Sequence, residues 1–125
     1  MDDQEFLTSV AQRANVEPDT ARVLASATLT TLAERISGGE ARDLAAQLPR
    51  TAQDPLRSGA EDAEAFDADE FVRRVGDRTH FEPGPAEDAA RAVLVTVREA
   101  VSPGEFDDVT SQLPQDYRAL VGPMP

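Results

Sequence analysis

Apolar residues recur along the chain at steps of three and four. Phe6, Leu7, Val10 and Ala14 form one such stripe; Ala21, Ala25, Leu29, Leu32 and Ile36 form a second; Ala41, Leu44, Ala45 and Leu48 form a third. These steps place each set on one face of an α-helix. No segment keeps the period-two alternation of a half-buried strand, so the pattern predicts an all-α fold without a sheet. The stripes are bounded by start and stop signals. Asp2 with Glu5 three residues later has the spacing of a capping box, as does Ser37 with Glu40. Pro18 precedes the second stripe, with Asp19 as its expected cap, and Pro49 closes the third, because the residue before a proline resists the α region.

The whole pattern is written twice. Shifting the sequence by 65 lays residues 1–60 on 66–125 without a gap, and 20 of the 60 pairs are identical. Roughly five would coincide by chance in such a composition. The second copy carries Asp67 and Glu70, then Phe71, Val72 and Val75; Ala86, Ala90, Leu94, Val97 and Val101; and Ser102, Glu105, Phe106, Val109, Leu113 and Pro114. Gly84 is its expected second cap, and Pro85 is expected at the first position of that helix, where a missing N–H costs nothing. Short segments around Ala52–Leu56 and Tyr117–Val121 close each copy with a further helical turn. The expected organisation is repeat 1 (1–60), an acidic connector (61–65) and repeat 2 (66–125). Each repeat has three to four helices. A 60-residue unit with Ala-rich stripes buries little surface alone, so the copies are expected to pack as one cooperative domain about a pseudo-two-fold.

Several strings occur in both copies: Phe-x-x-x-Val-x-x-Arg, then Glu-x-Ile/Val-Ser-x-Gly-Glu, then Gln-Leu-Pro. With them the chain resembles the prokaryotic domain of unknown function 2267 family over nearly its whole length, as two tandem copies. The resemblance implies an all-helical, cytoplasmic protein with no established activity and no catalytic residues to carry over. The first copy departs from the second at Asp54-Pro55, where the second has Ala119-Leu120.

Composition narrows the functional classes. The chain has no cysteine, no tryptophan and one histidine, and 24 acidic residues against 12 cations give a net charge of −12. Disulfides, thiolate nucleophiles and Cys zinc sites are excluded. A nucleic-acid backbone needs clustered cations, so no nucleic-acid partner is expected. No apolar run approaches a membrane span and the N-terminus lacks a signal-peptide pattern; a cytoplasmic protein without a membrane partner is expected. Every cation is arginine. That suits a GC-rich genome, and with the −12 charge it also suits adaptation to a salty cytoplasm, where screening relieves self-repulsion.

Candidate chemistry is sparse. His80 matches Asn15, and both residue types tolerate positive φ, so His80 is expected to end the first helix of its repeat. Gly38-Gly39 is too short to cradle a phosphate, and no nucleotide or nucleophile-elbow motif is present. The connector carboxylates lack the spacing of a calcium loop. One set stands out. Arg13 falls on the apolar stripe, seven residues after Phe6, and Arg78 repeats this after Phe71. A guanidinium there needs acidic partners or a path to water. Glu40, Asp43 and Gln47 line one edge of the third helix; Glu105, Asp108 and Gln112 repeat them. Arg13 is expected to reach Glu40 or Asp43, and Arg78 to reach Glu105 or Asp108, unless the opposite repeat supplies the partner. The leading expectation is a non-enzymatic protein-interaction or scaffold module with an unidentified protein partner, an oligomer being open. The alternative is a small-ligand or anion sensor with pockets near Arg13 and Arg78, and third a carboxylate- or metal-dependent hydrolase. No cofactor is expected.

Overall fold

A computed structural model describes residues 1–122 and places eight α-helices and one 3-10 turn among them. They are α1 (Asp3–Ala14), α2 (Pro18–Arg35), α3 (Gly38–Ala46), α4 (Arg50–Arg57), α5 (Ala68–Thr79), α6 (Pro83–Ala100), α7 (Pro103–Thr110), the 3-10 turn Gln115–Tyr117, and α8 (Arg118–Val121). Among the described residues no strand occurs, as the spacing predicted.

The helix ends follow local chemistry. Asp2 accepts from the Glu5 N–H and Glu5 answers to the Asp2 N–H, so the capping box at α1 is complete. Asn15 and His80 end α1 and α5 in the left-handed region, at φ 57° and 62°, as residue type suggested. The start of the long helices differs from expectation. Pro18 and Pro83 themselves take the first helical position, and Glu17 and Glu82 precede them without a side-chain cap. A proline ring already holds the φ of a first turn, so the helix begins there rather than after Asp19 or Gly84, and Pro85 falls two positions further in.

The long helices α2 and α6 lie at the centre. α1 packs along both of them, α5 packs along both as well, α4 rests on α2 and α8 on α6. α3 sits against α4 and touches α7. Every residue of the α2 stripe predicted from spacing is buried, and so is every residue of the α6 stripe. Alanines at Ala21, Ala25, Ala86 and Ala90 let neighbouring helices approach closely. The buried side chains form one continuous cluster running from Phe6 and Leu24 through Phe71 and Leu94 to Tyr117. Among the described residues no helix is long and apolar enough to cross a membrane.

The connector is exposed yet tied down. Gly38 N–H donates to the Glu61 carbonyl and Glu64 N–H donates to the Glu34 carbonyl, each at 2.9 Å. Gly59 lies so close to the end of α2 that a Cβ would stand 2.6 Å from the Ala33 carbonyl oxygen.

Candidate functional site: a polar seam between the halves

Seven of the eight residues that spacing singled out fall into three groups, and the eighth, Asp108, lies beside the third. Arg13 on α1 reaches α6: its Nη1 donates to Thr96 Oγ1 at 2.8 Å and its Nη2 pairs with Glu99 at 2.6 Å. Arg78 on α5 reaches α2: it donates to Thr31 Oγ1 at 2.6 Å and grips both oxygens of Glu34, at 2.9 and 2.7 Å. Glu34 and Glu99 are each held below the ordinary carboxylate range by these guanidinium bonds. The expected partners Glu40, Asp43, Glu105 and Asp108 are therefore not the ones used. The reason is packing: α1 lies along α6 and α5 along α2, so the arginine stripe faces a long helix of the other half. Thr31 and Thr96, and Glu34 and Glu99, are among the pairs identical at the 65-residue offset. That identity was the signal that could have found them.

Gln47 and Gln112 form the second group. Gln112 Oε1 accepts from the Ser37 N–H at 2.8 Å, and Gln47 Oε1 accepts from the Ser102 N–H at 2.8 Å. These N–H groups open α3 and α7. Ser37 and Ser102 cap their own helices through the Glu40 and Glu105 N–H groups, at 3.2 Å each. In a capping box the glutamate side chain would return to the serine N–H. Here a glutamine from the other half takes that donor, so Glu40 and Glu105 are released.

The released side chains form the third group. Glu40, Asp43 and Glu105 can bring one carboxylate oxygen each within 4.8 Å of one another. Such a trio could share a proton or a cation. Oε1 of Glu40 and Oε2 of Glu105 are buried without a hydrogen-bond partner among the described residues. Burial, followed by the Glu105 carboxyl beside it, pushes the Glu40 carboxyl up to about 7, with Asp108 and Asp43 adding repulsion.

A family model of uncharacterized conserved proteins, DUF2267, matches residues 3–120. The chain belongs to the DUF2267 family. No curated protein matches it. The segments that carry the seam, from α1 through α7, all lie inside the part matched by the DUF2267 model.

Other polar residues that matter here escaped the sequence reading. Arg35 is buried at 8% exposure; its Nε donates to the Phe66 carbonyl at 2.8 Å and its guanidinium lies over the Phe66 and Tyr117 rings. Arg74 stacks on Phe66 at 3.9 Å and bonds Glu34, Glu64 and Glu70. The Tyr117 hydroxyl donates to the Phe66 carbonyl at 2.7 Å, and burial pushes its pKa up to about 12. Arg35 lies three residues after Leu32, on the same stripe logic as Arg13, but its partner at the 65-residue offset is Ala100. Comparing positions at that offset therefore hid it.

Proposed function

We propose that this protein is a non-enzymatic protein-interaction module, built from two copies of one helical unit related by an approximate two-fold and folding as one cooperative domain. The observation that carries this reading is the reciprocity of the seam. Arg13 to Thr96 and Glu99 recurs as Arg78 to Thr31 and Glu34, and Gln112 to Ser37 recurs as Gln47 to Ser102. Each contact is the other with its residue numbers exchanged at the 65-residue offset. Two identical edges meeting face to face produce that pattern. The arginines and glutamines that could have bound a ligand are engaged in holding the halves together, which favours a rigid scaffold over a reacting constellation. Arg13 is bonded by Glu99 and Thr96 in this arrangement, so an anion-sensing pocket there would first have to displace Glu99.

The test is capture of the intact, tagged chain from its native host, with the complex quantified by mass. A protein partner retained at fixed stoichiometry through gel filtration supports the module reading. Turnover of a small molecule by the purified chain, abolished by Glu40→Gln, would replace it with the hydrolase reading.

A further inference from the structure

One groove joins partly exposed apolar surface to three acidic side chains. It opens between α5 and the start of α6, with a volume of about 510 Å³. Its floor is Val72, Phe81 and Pro83; its rim carries Asp69, Asp77 and Glu87. Val72 and Phe81 pack against the core on one side and remain half-exposed on the other. Arg73 also reaches the groove, but Glu70 and Asp77 already hold its guanidinium.

The positions 65 residues earlier show which of these features the helical unit itself requires. The floor is kept in kind: Leu7, Val16 and Pro18 stand for Val72, Phe81 and Pro83. The rim is not kept: Gln4, Gln12 and Arg22 stand for Asp69, Asp77 and Glu87. The same pair of helices therefore forms without the three acids, at α1 and α2. Rim acidity belongs to the second copy alone: Asp77 answers Arg73, where the first copy has Thr8, whereas Asp69 and Glu87 have no ion-pair partner among the described residues, so their explanation lies outside the packing of the unit.

We infer that the α5–α6 groove docks a basic segment of a partner protein, one that sets an aliphatic or aromatic side chain on Val72 and Phe81 and arginine or lysine against Asp69 and Glu87. Charge complementarity selects this occupant. The rim is acidic, and the −12 charge of the whole chain attracts the same kind of partner from a distance. An acidic segment would be opposed by both. Apolar contact on the floor supplies what long-range attraction cannot, a fixed position. This inference rests on the interaction-module reading and names its surface.

The probes are a capped decapeptide of alternating arginine and leucine and its arginine–glycine counterpart. Each is titrated into the intact isotope-labelled protein. Calorimetry gives affinity and amide shifts give the position. The rim variant Asp69→Asn/Asp77→Asn/Glu87→Gln is compared with Asp54→Asn/Asp62→Asn/Asp107→Asn. Both remove three charges, so long-range attraction falls equally. The rim variant is expected to change its unfolding midpoint little, losing only the exposed Arg73–Asp77 pair, since α1 and α2 form in the intact chain with Gln4, Gln12 and Arg22 at the equivalent positions. The arginine–leucine peptide should shift α5 and α6 amides, bind more tightly than the glycine peptide, and lose roughly tenfold in affinity on the rim variant alone. Equal losses on both variants, equal binding of both peptides, or shifts spread over the surface would overturn the groove. If the partner captured from the host still binds the rim variant fully, the module reading survives and this groove is not its surface. If the intact chain captures nothing, the module reading falls and takes this inference with it.

Discussion

Glu40 and Glu105 meet at the crossing of α3 and α7, each with a buried oxygen that accepts no hydrogen bond from the described residues. Two carboxylates so placed cannot both ionise cheaply. A proton held between them satisfies both oxygens, which agrees with the Glu40 carboxyl being pushed up to about 7 by burial and by Glu105.

The consequence is an inverted pH dependence. The folded state holds this proton more tightly than the unfolded chain, where a glutamate titrates near 4.5. Its contribution to stability is therefore complete below about 4.5 and lost as pH rises through about 7. Glu34 and Glu99 act in the opposite sense: their acidities are raised by Arg78 and Arg13, so their contribution is lost only as pH falls below their ordinary range. Stability should peak on the acid side of neutrality. Glu40→Gln mimics the protonated form and should flatten the slope between pH 4.5 and 7, raising the unfolding midpoint at pH 7. Denaturant melts across that range check it; an unchanged slope would remove the shared proton.

The chain leading into the connector gives a second expectation. Gly59→Ala puts a Cβ 2.6 Å from the Ala33 carbonyl oxygen and 3.0 Å from its Cβ. Backbone must move, at a cost of about 1–3 kcal/mol. Gly104→Ala meets nothing within 4 Å in the first turn of α7 and should stabilise by about 0.4–1 kcal/mol through the unfolded chain. Paired thermal melts distinguish the two; equal effects would mean that the chain at Gly59 is not held against α2.

The helical pattern was legible because each stripe is a local property. Capping residues, prolines and steps of three and four located every helix to within a few residues. The polar seam was legible only in membership. Arg13, Arg78, Gln47 and Gln112 stood out by position, yet their partners depend on which helices cross, and no local signal says that α1 lies along α6. The first-named partners of Arg13 and Arg78 were missed for that reason, while the alternative of a partner from the opposite half is the one the structure has. Glu40 and Glu105 read as capping-box residues and as acids for the arginines, and only the glutamines arriving from the other half give them their role. Tyr117 and Arg35 meet each other and share the carbonyl of Phe66, a residue next to the connector that no stripe includes.

Cooperativity of the halves is a third expectation. The buried cluster runs through both, and each arginine of the seam has its partner in the other half. Residues 1–60 expressed alone should be largely unfolded, since a unit of that size with alanine-rich faces buries too little. Circular dichroism with sedimentation decides it: a stable, monomeric, fully helical fragment would show that the seam is dispensable.

Arg78 and Glu34 give the most direct test of the claim that these polar side chains hold the halves together. The side chains are 33% and 25% exposed, between the surface and buried limits. Arg78→Met should cost about 2 kcal/mol, and Arg13→Met, with a single carboxylate oxygen in reach, about 1 kcal/mol. A double-mutant cycle of Arg78→Met and Glu34→Gln in the intact chain removes the separate contact of Glu34 with Arg74 from the result. A coupling of about 1 kcal/mol or more is the predicted outcome. A coupling below about 0.3 kcal/mol, with the Arg78→Met midpoint unchanged, would contradict it and return both arginines to the role of ligand contacts.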